Sequence, residues 1–378
     1  MFKQTLIAAA VAAALGSGIA LAGNEATVSQ TGISNTATVT QENSTEAMYA
    51  TVTQDGDFND ATVSQDDSWF ASASIDQTGS TNTASASQTD LSDNAIASIL
   101  QDGIDNWATS TQTGAAGSSA DIAQTGATVG DLATIDQTAL DSSASILQDD
   151  SWDATASILQ AGEFQSASIS QTVLSDFASA SIDQAGSGNT AAINQLDAFS
   201  SSADITQGAL SADNSATSNQ NGSYYSTTTI MQSGTLDTAL INQDLSNDSE
   251  ATISQGGSTT GLNYAEIWQD SANFSYADVS QTGDANTTTV NQAAGEELVA
   301  WVSQTGVGNG ADVYQTGAYN NADILQTVGD NLATVSQYGV GDGLNQNWVF
   351  VTQGGLGSHT ATVDQYGGGG NLSTVTQN

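Results

Sequence analysis

A glutamine returns about every twelve residues from Gln30 to Gln377, and the residues ahead of it hardly change. Across 30 such units, Val or Ile stands two places before the glutamine in 27 and Ala four places before it in 26. The unit reads Asn/Ser-x-Ala-x-Val/Ile-x-Gln, often followed by x-Gly. A short fixed period running through almost a whole chain restricts the fold to an array, in which each unit is one small element stacked on its neighbours.

The three recurrent positions share a parity, and strand side chains alternate between faces with period two. One face of each unit therefore carries Ala, Val/Ile and Gln. The other carries mostly Thr and Ser, such as Thr38 and Thr40. None of the 41 acids occupies the Ala, Val/Ile or Gln rows. A buried unpaired carboxylate is costly, so the charge-free face is the interior. The predicted fold is all-β: a β-solenoid of about fifteen stacked strand-turn-strand coils with an inward Ala, Val/Ile and Gln core. Stacking sets glutamine over glutamine, and side-chain amides can then bond along the axis. The candidate self-assembly ladder comprises Gln30, Gln41, Gln54, Gln65, Gln304, Gln315, Gln365 and Gln377, with Val28, Val39, Val313 and Val375 beside them.

Turn chemistry agrees with this reading. Runs such as Gln54–Asn59 and Gln77–Asn82 follow Gln-x-Gly-x-x-Asn, and both Gly and Asn tolerate the positive φ of tight turns. Other turns are longer and acidic. One of them, Gln65-Asp66-Asp67-Ser68-Trp69, returns 83 residues later as Gln148-Asp149-Asp150-Ser151-Trp152. The offset covers seven units, an odd number. Either the copy changes sheets or the coil phase slips near Gln112–Gln137.

Residues 1–22, with Lys3 before an Ala/Leu/Ile run ending Ala20-Leu21-Ala22, read as a secretory signal peptide. Residues 23–378 are then expected as a single repeat domain, not an integral membrane protein. Lys3 is the only Lys or Arg, and the net charge is −40. Nothing in such a chain could neutralise phosphate, which excludes nucleic-acid binding. There is no cysteine, so neither a disulfide frame nor a thiolate metal site exists.

The units Asn35–Gln41 and Gln304–Gln315, and the stretch Gln365–Asn371, resemble the curlin repeat, Gln-x-Gly-x-x-Asn-x-Ala-x-x-x-Gln. The resemblance runs through residues 24–377. It implies a secreted bacterial subunit that polymerises with itself into curli, the extracellular amyloid fibres of biofilm matrix, and so supports adhesion. It also implies export through an outer-membrane secretion pore and a companion nucleator subunit. Familiar curlins differ in having about five coils and some basic residues, and in placing a polar secretion-targeting segment before the repeats.

Catalysis finds little purchase. His359 occupies a slot usually filled by Asn or Ser and reads as a turn or core substitute. Asp66/Asp67, Asp149/Asp150 and Glu296/Glu297 are sequence neighbours in turns, whereas glycoside chemistry needs two carboxyls held across a cleft. No enzyme activity, cofactor or metal site is expected. The alternative function is a monomeric secreted β-solenoid acting as a surface adhesin or as an ice- or cation-binding protein. Outward Thr pairs occur at 38/40, 51/53, 109/111 and 374/376, too scattered for an ice-binding array.

Overall fold

The computed structural model describes residues 23–43, 46–257, 261–355 and 357–378, so the expected signal segment lies outside the described residues. Every regular element among them is a β-strand. No described helix is long and apolar enough to cross a membrane.

Two compact units divide the chain, residues 1–188 and 189–378. Among the described residues, the first unit contains fourteen strands, from Glu25–Thr31 to Ser179–Ser187, and successive strands go alternately to one parallel sheet and the other. The second contains sixteen, from Thr190–Leu196 to Leu372–Gln377, with the same alternation. Two strands make a coil, so each unit is a β-solenoid, of seven and eight coils respectively.

Because the repeat is fixed, in-register pairing sets like over like. Ala50 pairs with Ala73, Val52 with Ile75 and Gln54 with Gln77. In that second strand Ala73, Ile75 and Gln77 are buried, whereas Ser74 and Asp76 between them are exposed. The inward rows are therefore those the parity of the sequence assigns. Two exceptions to the rows compensate one another: buried Ser218 and Thr228 share a hydroxyl hydrogen bond of 2.6 Å.

The 83-residue copy changes sheets. Asp60–Asp66, which leads into the first Asp-Asp-Ser-Trp turn, lies in one sheet, and Ser143–Asp149, which leads into the second, lies in the other. The strands between them alternate without a slip. Both sheets present the same inward rows, so a seven-unit block fits either one.

Backbone approach fixes the turn glycines. Gly56 has φ 129°, and a Cβ there would lie 1.9 Å from the Gly79 carbonyl oxygen of the next coil. Only glycine permits coil-on-coil stacking at that height. The corners hold one surprise. Asp131 and Asp237 are buried, although neither belongs to the inward rows.

Candidate self-assembly surface

Each glutamine amide does two jobs. Gln77 Nε2 donates to Gln101 Oε1 in the next coil at 2.8 Å. It also donates within reach of the Asp60 and Asn82 carbonyls, at 3.0 and 3.1 Å, which ties it to the facing sheet. A buried side-chain amide left unpaired would cost about 1–3 kcal/mol, so this satisfaction decides whether glutamine can serve as a core residue at all.

The ladders are continuous within each unit. In the first, Gln30, 54, 77, 101, 124, 148 and 171 form one row with bonds of 2.7–2.9 Å. Gln41, 65, 88, 112, 137, 160 and 184 form the other at 2.8–2.9 Å. In the second unit Gln195 to Gln365 and Gln207 to Gln377 repeat the arrangement at 2.8–3.0 Å. All these bonds run the same way, from Nε2 of one coil to Oε1 of the coil nearer the C-terminus. The rows are polar.

Among the candidate residues, Gln54, Gln65, Gln304, Gln315 and Gln365 are buried in these rows, as are Val39 and Val313. Gln30 and Val28 in the first strand, Gln41 in the second, and Val375 and Gln377 in the last are only half-buried. Between neighbouring coils within each unit the same rows are buried.

Asparagine columns brace the corners. Asn35 Oδ1 accepts the Asn59 N–H at 2.9 Å, Asn59 Oδ1 that of Asn82 at 3.0 Å, and Asn82 Oδ1 that of Asn106 at 3.1 Å. Asp131 continues this column and accepts hydrogen bonds from Ala154 N–H and Ser151 Oγ. Burial pushes its carboxyl up to about 6, against the lowering effect of those two bonds. In the second unit Asp237 holds the same kind of place and receives the Asn263 N–H and Nδ2 at 3.0 Å each. Burial raises its carboxyl as well. His359 ends a column too, with Nδ1 2.8 Å from Asn331 Oδ1, so it replaces a corner asparagine.

Sequence reasoning missed a role for the turn acids. Asp57 accepts the Ile33 N–H at 2.8 Å, Asp93 that of Trp69 at 2.8 Å, and Asp150 that of Ala127 at 2.9 Å. Each carboxylate reaches back one coil to satisfy a turn amide. A hydrogen bond to an ionised acceptor is among the stronger kinds, so these acids join coils as well as repelling along the stack. The signal was present as acids recurring 23–24 residues after a turn amide. Asp149 likewise accepts from Thr125 Oγ1 at 2.9 Å. Among the described residues no group of three His, Cys, Asp or Glu side chains could hold a metal ion.

The family comparison agrees with the geometry: the curlin associated repeat matches residues 22–42, 178–208 and 306–339. Those three segments carry curlin associated repeats. The first matched segment of this curlin-repeat protein contains Val28, Gln30, Val39 and Gln41, and the third contains Val313 and Gln315. No curated protein matches the chain.

Proposed function

We propose that this curlin-repeat protein is a structural subunit without enzyme activity, secreted by a bacterium and assembled into extracellular curli-type fibres that support adhesion in a biofilm matrix. Growth occurs when a terminal coil of one copy stacks on a terminal coil of another and extends the sheets and the amide rows. A nucleator subunit and an outer-membrane pore belong to the same reading, and their support is the family alone.

The observation that carries the proposal is the space beside Gly367. A Cβ on Gly317 would lie 2.1 Å from the Gly339 carbonyl oxygen, and one on Gly339 would lie 2.6 Å from that of Gly367. Beside Gly367 nothing lies within 4 Å. A coil of a second copy placed on Gly367 would continue this column of close backbone contacts. Gly367→Ala should leave a folded monomer, strained by about 1–3 kcal/mol because φ there is 108°. It should slow seeded elongation about tenfold or more by blocking the next backbone. Gly368→Ala is the control: it also meets nothing within 4 Å, and the coil before it carries Val340 at the paired position. Elongation of the Gly367→Ala protein at the unmodified rate would overturn coil-end stacking.

A further inference from the structure

The outer face of one sheet in the second unit carries aromatic rings alternating with carboxylates. Asp278 pairs in register with Trp301, Trp301 with Asp323, and Asp323 with Phe350. These residues come from the neighbouring strands Tyr276–Asp284, Val299–Val307, Asn320–Thr327 and Asn347–Gln353. Neighbouring strands stand about 4.8 Å apart, so the two carboxylates flank the Trp301 indole about 10 Å from each other. Trp301 is 42% exposed.

A second ring completes a corner. The Tyr276 and Trp301 centroids are 6.1 Å apart, with their planes at 70°. The Tyr276 hydroxyl points to Asp278 Oδ2 at 3.4 Å, which orients that carboxylate beside the indole. On the far side of Asp323, Trp348 and Phe350 stack at 5.5 Å and 7°, a second flat ledge. Burial raises the carboxyls of both Asp278 and Asp323. Such partly desolvated acids favour a positive partner. The described residues include no Lys or Arg to supply one.

From this geometry we infer a binding site for arginine side chains presented by a basic polypeptide partner, with Trp301 as the stacking platform and Asp278 and Asp323 as the acceptors. A planar cation lies flat on an indole, where the ring quadrupole attracts it, while its edge N–H groups reach carboxylates at the side. A guanidinium meets both demands. An ammonium is a compact, strongly hydrated point charge and a poorer stacker. A quaternary ammonium has no N–H to give the two acids. The ring–acid–ring order continues to Phe350, so a segment lying along the column meets a second ledge one coil pair further on.

The test measures binding of fluorescently labelled hexa-arginine and hexa-lysine peptides to the monomeric full-length protein, by anisotropy at moderate salt. It precedes assembly, so its outcome does not depend on whether fibres form. Trp301→Ala, and separately the pair Asp278→Asn with Asp323→Asn, should each weaken hexa-arginine binding about tenfold. Asp102→Asn with Asp105→Asn removes the same charge from exposed positions in the first unit and should change it less than about twofold. Hexa-lysine should bind several-fold more weakly than hexa-arginine. Circular dichroism of each variant shows that the fold is retained. An equal loss in the turn pair, an unchanged Trp301→Ala protein, or equal affinity for the two peptides would reduce the effect to the general charge of the chain and overturn the site.

Discussion

The Asp131 carboxylate accepts the Ala154 N–H at 2.9 Å, in the manner that Asn82 Oδ1 accepts the Asn106 N–H at 3.1 Å. An acid thus stands in an asparagine's place within the first unit, with no Lys or Arg among the described residues. Its carboxyl is raised to about 6 against an ordinary 3.8. The folded state therefore holds that proton more tightly than the unfolded state. By linkage, this residue's contribution to stability falls as pH rises from about 4 to about 6 and is flat above.

Asp131→Asn should remove that loss. We expect the variant to be more stable than the parent by about 1–3 kcal/mol at pH 7.5 and little different at pH 4. Urea midpoints at the two pH values check this. A variant no more stable at pH 7.5 would show that the two hydrogen bonds already offset the burial of the charge.

Gln77→Leu should destabilise the first unit by about 2–4 kcal/mol, although leucine matches glutamine roughly in size. Gln54 Nε2 loses its Gln77 acceptor and Gln101 Oε1 loses its donor, both in the dry core. Hydrogen exchange of the flanking strands Tyr49–Asp57 and Ile96–Ile104 reads the effect. Unchanged protection there would mean the row contributes nothing beyond filling space.

Gly56→Ala should be more damaging than Gly367→Ala in the monomer. The first puts a methyl 1.9 Å from a carbonyl oxygen, while the second enters open space. Both carry the cost of positive φ, about 1–3 kcal/mol, so the difference isolates the clash. Thermal unfolding of the two variants side by side provides the comparison, and equal melting temperatures would contradict it.

Fibre elongation should be slow at neutral pH and low salt, and faster with added salt or at pH 4–5. With 41 acids and a single Lys or Arg, like charges recur along the stack within a Debye length of about 10 Å at 0.1 M salt. Burial raises the carboxyls of Asp204, Asp278, Asp312 and Asp323, so part of the repulsion is lost above the ordinary carboxylate range. Seeded growth followed by dye binding across pH and salt measures this. Rates insensitive to both would leave charge out of the control of assembly.

The repeat alone determined the strands, the inward rows and the stacking of glutamine on glutamine. Those follow from parity and period, which are local properties and survive any choice of loop. Tertiary structure decided what depends on a neighbouring coil. The direction of each amide bond is one such property, since Gln77 could have donated either way along the row. The sheet taken by the 83-residue copy is another, because both sheets accept the same block. The burial of Asp131 and Asp237 was illegible, since an acid and an asparagine fit one corner and only the coil above shows whether water reaches it. The Asp278–Trp301–Asp323 column joins residues 22–23 positions apart. No local pattern marks it, and only in-register pairing sets the ring between the two acids.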